Sequence, residues 1–130
     1  MTRGLLDTSV FIARESRGLD ESALPDEVAV SVVSHAELSV GVLAAVDLEV
    51  RSRRLVTLTA LAEMNPIPID LAVAEVWARI RVQLARAHRR ANINDMWIAA
   101  TALALDVPVV TQDQDFDVIA ELSGLDVLHV

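Results

Sequence analysis

Asp7, Glu37, Asp95 and Asp113 are the residues of this 130-residue sequence whose types and spacing could do chemistry together. Each lies just past a short apolar run or at the start of a helical pattern, and Asp115 and Asp117 crowd the turn after Asp113. Carboxylates gathered from remote segments form a hard oxygen site. Such a site suits Mg²⁺ or Mn²⁺, which take one or two carboxylates directly and keep several waters. Each acid also has a local reading that needs no metal. Asp7-Thr8-Ser9 is an ordinary helix start, Ser34-His35-Ala36-Glu37 has the S-x-x-E form of a capping box, and Asp95, behind an Asn94 cap, complements a helix dipole. Asp113, Asp115 and Asp117 together fit a solvated turn, although three acids in five residues repel unless a cation or solvent separates them.

The elements that must position these acids follow from apolar periodicity. Strands are predicted near Gly4 to Leu6, Val28 to Val33, Pro66 to Ile69, Pro108 to Val110 and Asp126 to Val130. Helices are predicted over Ser9 to Glu15, His35 to Val46, Glu49 to Met64, Leu71 to Arg90 and Asp95 to Leu105, with a short one after Phe116. Strands alternating with helices predict an α/β fold, a mainly parallel five-stranded sheet flanked by helices, in one domain over residues 1–130. In such a sheet the carboxyl ends of the strands open the ligand crevice, so the four acids are expected to converge on that edge.

Composition narrows the chemistry further. Cysteine and lysine are absent, and all eleven basic residues are arginine, which removes thiolate nucleophiles, Schiff bases and a P-loop lysine. A net charge of −8 excludes a broad basic surface for nucleic acid, so any polyanion must be met locally. Arg79, Arg86 and Arg90 share a face of the Leu71 to Arg90 helix through spacings of seven and four, and are expected to touch the backbone of a polyanion beside the acids. A solvated polar face is the alternative. No signal-peptide pattern or membrane-length apolar run is seen, which predicts a cytoplasmic protein with no membrane partner.

Four motifs in order resemble the PIN-domain family: Leu5-Leu6-Asp7-Thr8-Ser9; Ser34-His35-Ala36-Glu37-Leu38; Asn94-Asp95 with Ile98-Ala99-Ala100-Thr101-Ala102; and Val110-Thr111-Gln112-Asp113 with Asp115-Phe116. The compact length is similar to the VapC toxins of VapBC toxin–antitoxin pairs. The resemblance implies a Mg²⁺- or Mn²⁺-dependent endoribonuclease with Asp7, Glu37, Asp95 and Asp113 as its acidic quartet and Asp115 as a further metal contact. It also implies Thr8, Ser9 and Thr111 as hydroxyls that orient the carboxylates. Products with a 5′-phosphate and a 3′-hydroxyl, a homodimer and a VapB-type antitoxin are the corresponding expectations. Two other classes stay open. An Asp-based phosphotransfer protein also places Asp after its first strand, but a receiver domain needs a lysine, and a haloacid-dehalogenase-like phosphatase needs Asp-x-Asp where Asp7-Thr8-Ser9 stands. The other is a non-catalytic PIN-like module whose acids only cap helices.

Overall fold

The computed structural model describes residues 1–130. Strands β1 (Arg3–Leu6), β2 (Glu27–Val30), β3 (Val109–Thr111) and β4 (Val127–His129) form one all-parallel sheet in the order β2-β1-β3-β4. Helices α1 (Thr8–Ser16), α2 (Val32–Ala44), α3 (Leu48–Ala62), α4 (Leu71–Arg86), α5 (Ile93–Leu105) and α6 (Asp117–Ser123) surround it. The chain leaves β1 toward β2 on one side and places β3 on the other. The carboxyl ends of β1 and β3 therefore flank the switch point where open α/β sheets form a crevice.

The sheet has four strands where five were expected. Around the predicted strand Pro66 to Ile69, only Ile67 pairs, in a single bridge with Ser31. Its N–H donates to Val30 O at 2.7 Å and its carbonyl accepts from Val32 N at 3.0 Å. Pro66 and Pro68 on either side have no N–H to extend a ladder.

Two apolar clusters hold the layers together. Val73, Val76, Ile80 and Leu84 form the buried stripe of α4 and meet Ile98, Ala99, Ala100 and Ala102 of α5 with Phe116 and Ile119. Leu6, Val10, Phe11, Val30, Leu61 and Val110 form the smaller cluster beneath α1 and α3. The central strand passes close to its neighbours at Gly4, where a Cβ would stand 2.6 Å from Val110 Cγ2 and 3.0 Å from Pro25 Cγ. No helix is long and apolar enough to cross a membrane.

Candidate active site

Asp7 follows β1 directly, and its N–H extends the ladder to Val110 O at 2.8 Å. It caps α1 and faces the crevice at once. Its Oδ2 accepts from Ser9 N at a long 3.4 Å and from the Thr111 hydroxyl at 3.0 Å. The side chain is 3% exposed, so these donors offset the cost of burying a carboxylate. Ser9 Oγ lies 3.2 Å from Thr111 Oγ1 and accepts from Gln112 N at 3.0 Å, while Thr111 Oγ1 accepts from Asp113 N at 3.0 Å. Hydroxyls from α1 and β3 thus tie the backbone that carries Asp113 to the side chain of Asp7.

Glu37 reaches the same edge from α2, and the structure excludes its capping role. β2 ends at Val30, three residues before the predicted strand end, so α2 begins at Val32 with Ser31 as its cap, Oγ accepting from Val33 N at 3.0 Å. Glu37 then lies beyond the first turn, too far along to reach the cap amide. Its Oε1 instead accepts from the Thr8 hydroxyl at 2.7 Å. Thr8 has one proton to give, and the carboxylate is the stronger acceptor. Ser34 Oγ, buried and 2.8 Å from Thr8 Oγ1, then donates in return.

Asp95 stands in the first turn of α5, which starts two residues earlier than expected. Asn92, not Asn94, is the cap, its Oδ1 accepting from Asn94 N at 2.8 Å and Asp95 N at 3.3 Å. Burial, followed by the charges of Asp7, Asp115, Glu37 and Asp113, pushes the Asp95 carboxyl up from 3.8 to about 7. The favourable helix N-terminus does not outweigh these effects. Asp113, largely exposed, is also pushed up, by partial desolvation, then Asp7 and Asp115, with Arg17 opposing. The structure therefore brings all five acids into one electrostatic neighbourhood, and none of them has an ion-pair partner in the chain.

This donor set fits a hard divalent cation in a particular way. No three of the acids stand together as a ready-made cage. Mg²⁺ does not require one, because it binds through one or two carboxylates and retains water. Unpaired, mutually repelling oxygens with hydroxyl-fixed orientations match that mode better than they match a closed protein site.

The predicted arginine face is not found as one face. Helix α4 ends at Arg86, and His88 adopts a left-handed φ of 54° that turns the chain, with Arg89 N donating to Leu84 O at 2.9 Å. Arg90 thereby leaves the helix and lines an open cleft of about 450 Å³ with Arg89, Asn92, Asp95 and Asp115. Arg79 and Arg86 line a shallow depression with Ala78, Val82 and Gln83, away from the acids. Sequence reasoning missed Ser34 and Asn92 as supports and Arg17 as a cation near Asp113. The Ser31/Ser34 and Asn92/Asn94 ambiguities marked the first two, but nothing local marked Arg17.

The PIN domain family matches residues 4–122. The chain is 50% identical over 128 residues to Ribonuclease VapC5 of Mycobacterium tuberculosis, covering 98% of this chain and 95% of that protein. It is 44% identical over 115 residues to Ribonuclease VapC4 of the same organism, covering 88% of each. A crystal structure from M. tuberculosis, of a member of the VapBC family of toxin-antitoxin systems, VapBC-5, superposes with a TM-score of 0.90 at 47% identity, covering 100% of both chains. Near-complete coverage, high identity and the strand-end acids agree: the chain belongs to the PIN-domain family, in its VapC branch.

Proposed function

We propose that this chain is a Mg²⁺- or Mn²⁺-dependent endoribonuclease and the toxin of a toxin–antitoxin pair. The observation that carries this reading is the ring of unpaired acids at the β1/β3 switch point, in a chain half identical to a curated ribonuclease. Among Asp7, Glu37, Asp95 and Asp113, with Asp115 beside them, one or two carboxylates would hold the cation directly and the others would hold its waters. When bound, a divalent cation supplies Lewis-acid polarisation of the scissile phosphate and acidifies a neighbouring water. The chain's own contribution is orientation. Thr111 and Ser9 fix Asp7, Thr8 fixes Glu37, and the Asn92 cap fixes the first turn that carries Asp95. Arg89 and Arg90 on the cleft wall offer positive charge to the RNA backbone, at a site where the acids would otherwise repel it.

The partner reading has its own support. Val40, Leu43, Val46, Leu48 and Val56 of the α2–α3 region are 64–100% exposed, a concentration of apolar surface that marks an interaction face. Beside it a groove of about 380 Å³ runs between α1, α2 and α3 and includes Thr8, Glu37, Arg53 and Arg54. A VapB-type antitoxin covering this face would reach Glu37, and an arginine on it would meet unpaired carboxylates. A homodimer in a cytoplasmic setting completes the proposal.

The nuclease reading is tested by incubating purified chain with cellular RNA in Mg²⁺, Mn²⁺ or EDTA. Cleavage is expected with either ion, with 5′-phosphate ends, and none with the chelator. Cleavage that survives EDTA, or survives Asp7→Asn with Asp95→Asn, refutes it. Co-expression with the product of the neighbouring gene tests the partner: a complex as active as the free chain removes the toxin–antitoxin reading alone.

A further inference from the structure

The largest cavity is not the acid cleft. It is a neighbouring one of about 600 Å³ between the end of α4 and the start of α5. Arg81, His88, Arg89 and Arg90 bring cationic or ionisable groups to it, while Trp77, Ile93 and Met96 provide apolar wall. Arg89 and Arg90 also line the acid cleft, so the two cavities are continuous through that pair.

Four features distinguish this cavity from an ordinary surface hollow. Trp77 is stacked on Trp97 with centroids 4.7 Å apart and planes 16° from parallel, so a fixed aromatic wall stands ready. The Trp77 indole N–H is buried with no acceptor in the chain. Such a donor is costly to leave unpaired. His88 holds a left-handed φ that glycine would adopt at less cost, at the bend that aims residues 88–91 across the cavity. Arg81 and Arg90 have no ion-pair partner, whereas Arg89 is paired with Glu121 at 3.2 Å.

We propose that this cavity receives the base and phosphate of an unpaired nucleotide next to the scissile bond, and so selects which RNA sequence is cut. The chemistry matches part by part. An apolar, aromatic-walled pocket of this size suits a splayed-out base. The Trp77 indole, as part of the cavity wall, suits apolar contact with the base. The free guanidiniums of Arg81 and Arg90 suit the phosphate that leads toward the acids. Single-stranded rather than duplex RNA is the ligand, because a stacked base could not enter. This inference rests on the ribonuclease reading for its biological meaning, but the binding site itself can be tested separately.

Trp77 and Trp97 are the only tryptophans, and Trp77 lines the cavity with Trp97 stacked on it, so intrinsic fluorescence is sensitive to a ligand there. The full chain is titrated with short single-stranded oligoribonucleotides of A, C or U, with Ca²⁺ in place of Mg²⁺ to neutralise the acids. Quenching is expected with at least one base and not with the matching duplex, weakened about tenfold by the surface change Arg81→Ala. No quenching by any oligonucleotide overturns the proposal, whether or not the chain cuts RNA. Cleavage of a randomised RNA in Mg²⁺, read by end sequencing, gives the second arm. Wild type should prefer one base at a position flanking the cut, and Arg81→Ala should reduce that preference about tenfold. An unchanged preference overturns the proposal, as does a change only in oligomeric state, which assigns the cavity to a second copy of the chain. Quenching without any cleavage keeps the pocket and refutes the nuclease reading.

Discussion

Two helix pairs each deliver one acid to the same edge, by different means. Asp95 rides on α5, whose Ile98, Ala99, Ala100 and Ala102 are fully buried against α4 and the sheet. Glu37 rides on α2, which packs on α3, and of α3 only Leu61 is buried. The first pair spends its apolar side chains on the core, while the second leaves many of them facing solvent. Asp95 is therefore anchored by packing. Glu37 depends on the Thr8 hydroxyl and on whatever covers the α2–α3 face, so a bound partner can act on the acid ring through Glu37 more readily than through Asp95.

The sharpest way to break this contrast is to cut into each pair. Ile98→Ala should cost about 2–5 kcal/mol in urea denaturation, the range for a cavity in a tight core. Val56→Ala, at a site 71% exposed, should stay within about 0.5 kcal/mol. Equal losses would mean that the α2–α3 pair is as much core as the other. At the level of chemistry, Asp95→Asn should lower cleavage about 100-fold or more, as loss of a central charge-organising group does. Glu37→Gln, which keeps an oxygen for Thr8, should lower it about tenfold with an unchanged melting temperature. If Glu37→Gln loses stability and keeps activity, the side chain is structural after all.

A smaller effect sharpens the electrostatic half of the comparison. The Asp95 carboxyl is raised from 3.8 to about 7 by burial and by its neighbouring acids. Its contribution to stability is thus fully present below its unfolded value and lost as pH rises through about 7. In EDTA the chain should lose about 1–2 kcal/mol over that interval, a figure discounted for the partly open setting. Asp95→Asn should flatten the curve, and Mg²⁺ should oppose the loss by compensating the acids. Parallel urea-midpoint profiles for wild type and Asp95→Asn would contradict this assignment.

The elements that carried a strong period were legible in the sequence, above all the Val73, Val76, Ile80 and Leu84 stripe. The strand-end placing of Asp7 and Asp113 followed from apolar runs that end in polar residues. What could not be read were choices between equivalent signals. Ser31 and Ser34 are both good caps, and the structure selects Ser31, whose neighbours Val30 and Val32 bond through their backbone to the distant Ile67. The stop of α4 was hidden because His88 occupies the left-handed position where glycine would have announced it. That is why helical spacing groups Arg90 with Arg79 and Arg86, whereas the structure puts it on the acid cleft. Pro66 and Pro68 did carry a signal against a strand, and the apolar run outweighed it.

The hydrogen bond from Thr111 to Asp7 spans 104 positions of sequence, and the sheet partner β3 that places it comes late in the chain. During synthesis at about 5–20 residues per second, Asp7 waits roughly 5–20 s before Thr111 exists to orient it. Throughout that interval the first strand can pair with β2 but the acid ring is open on its other side. A ribosome making this protein therefore carries an unarmed chain for most of each round of translation, while the whole α2–α3 face has already been synthesised. A partner that recognises that face has several seconds' head start on the enzyme it would restrain.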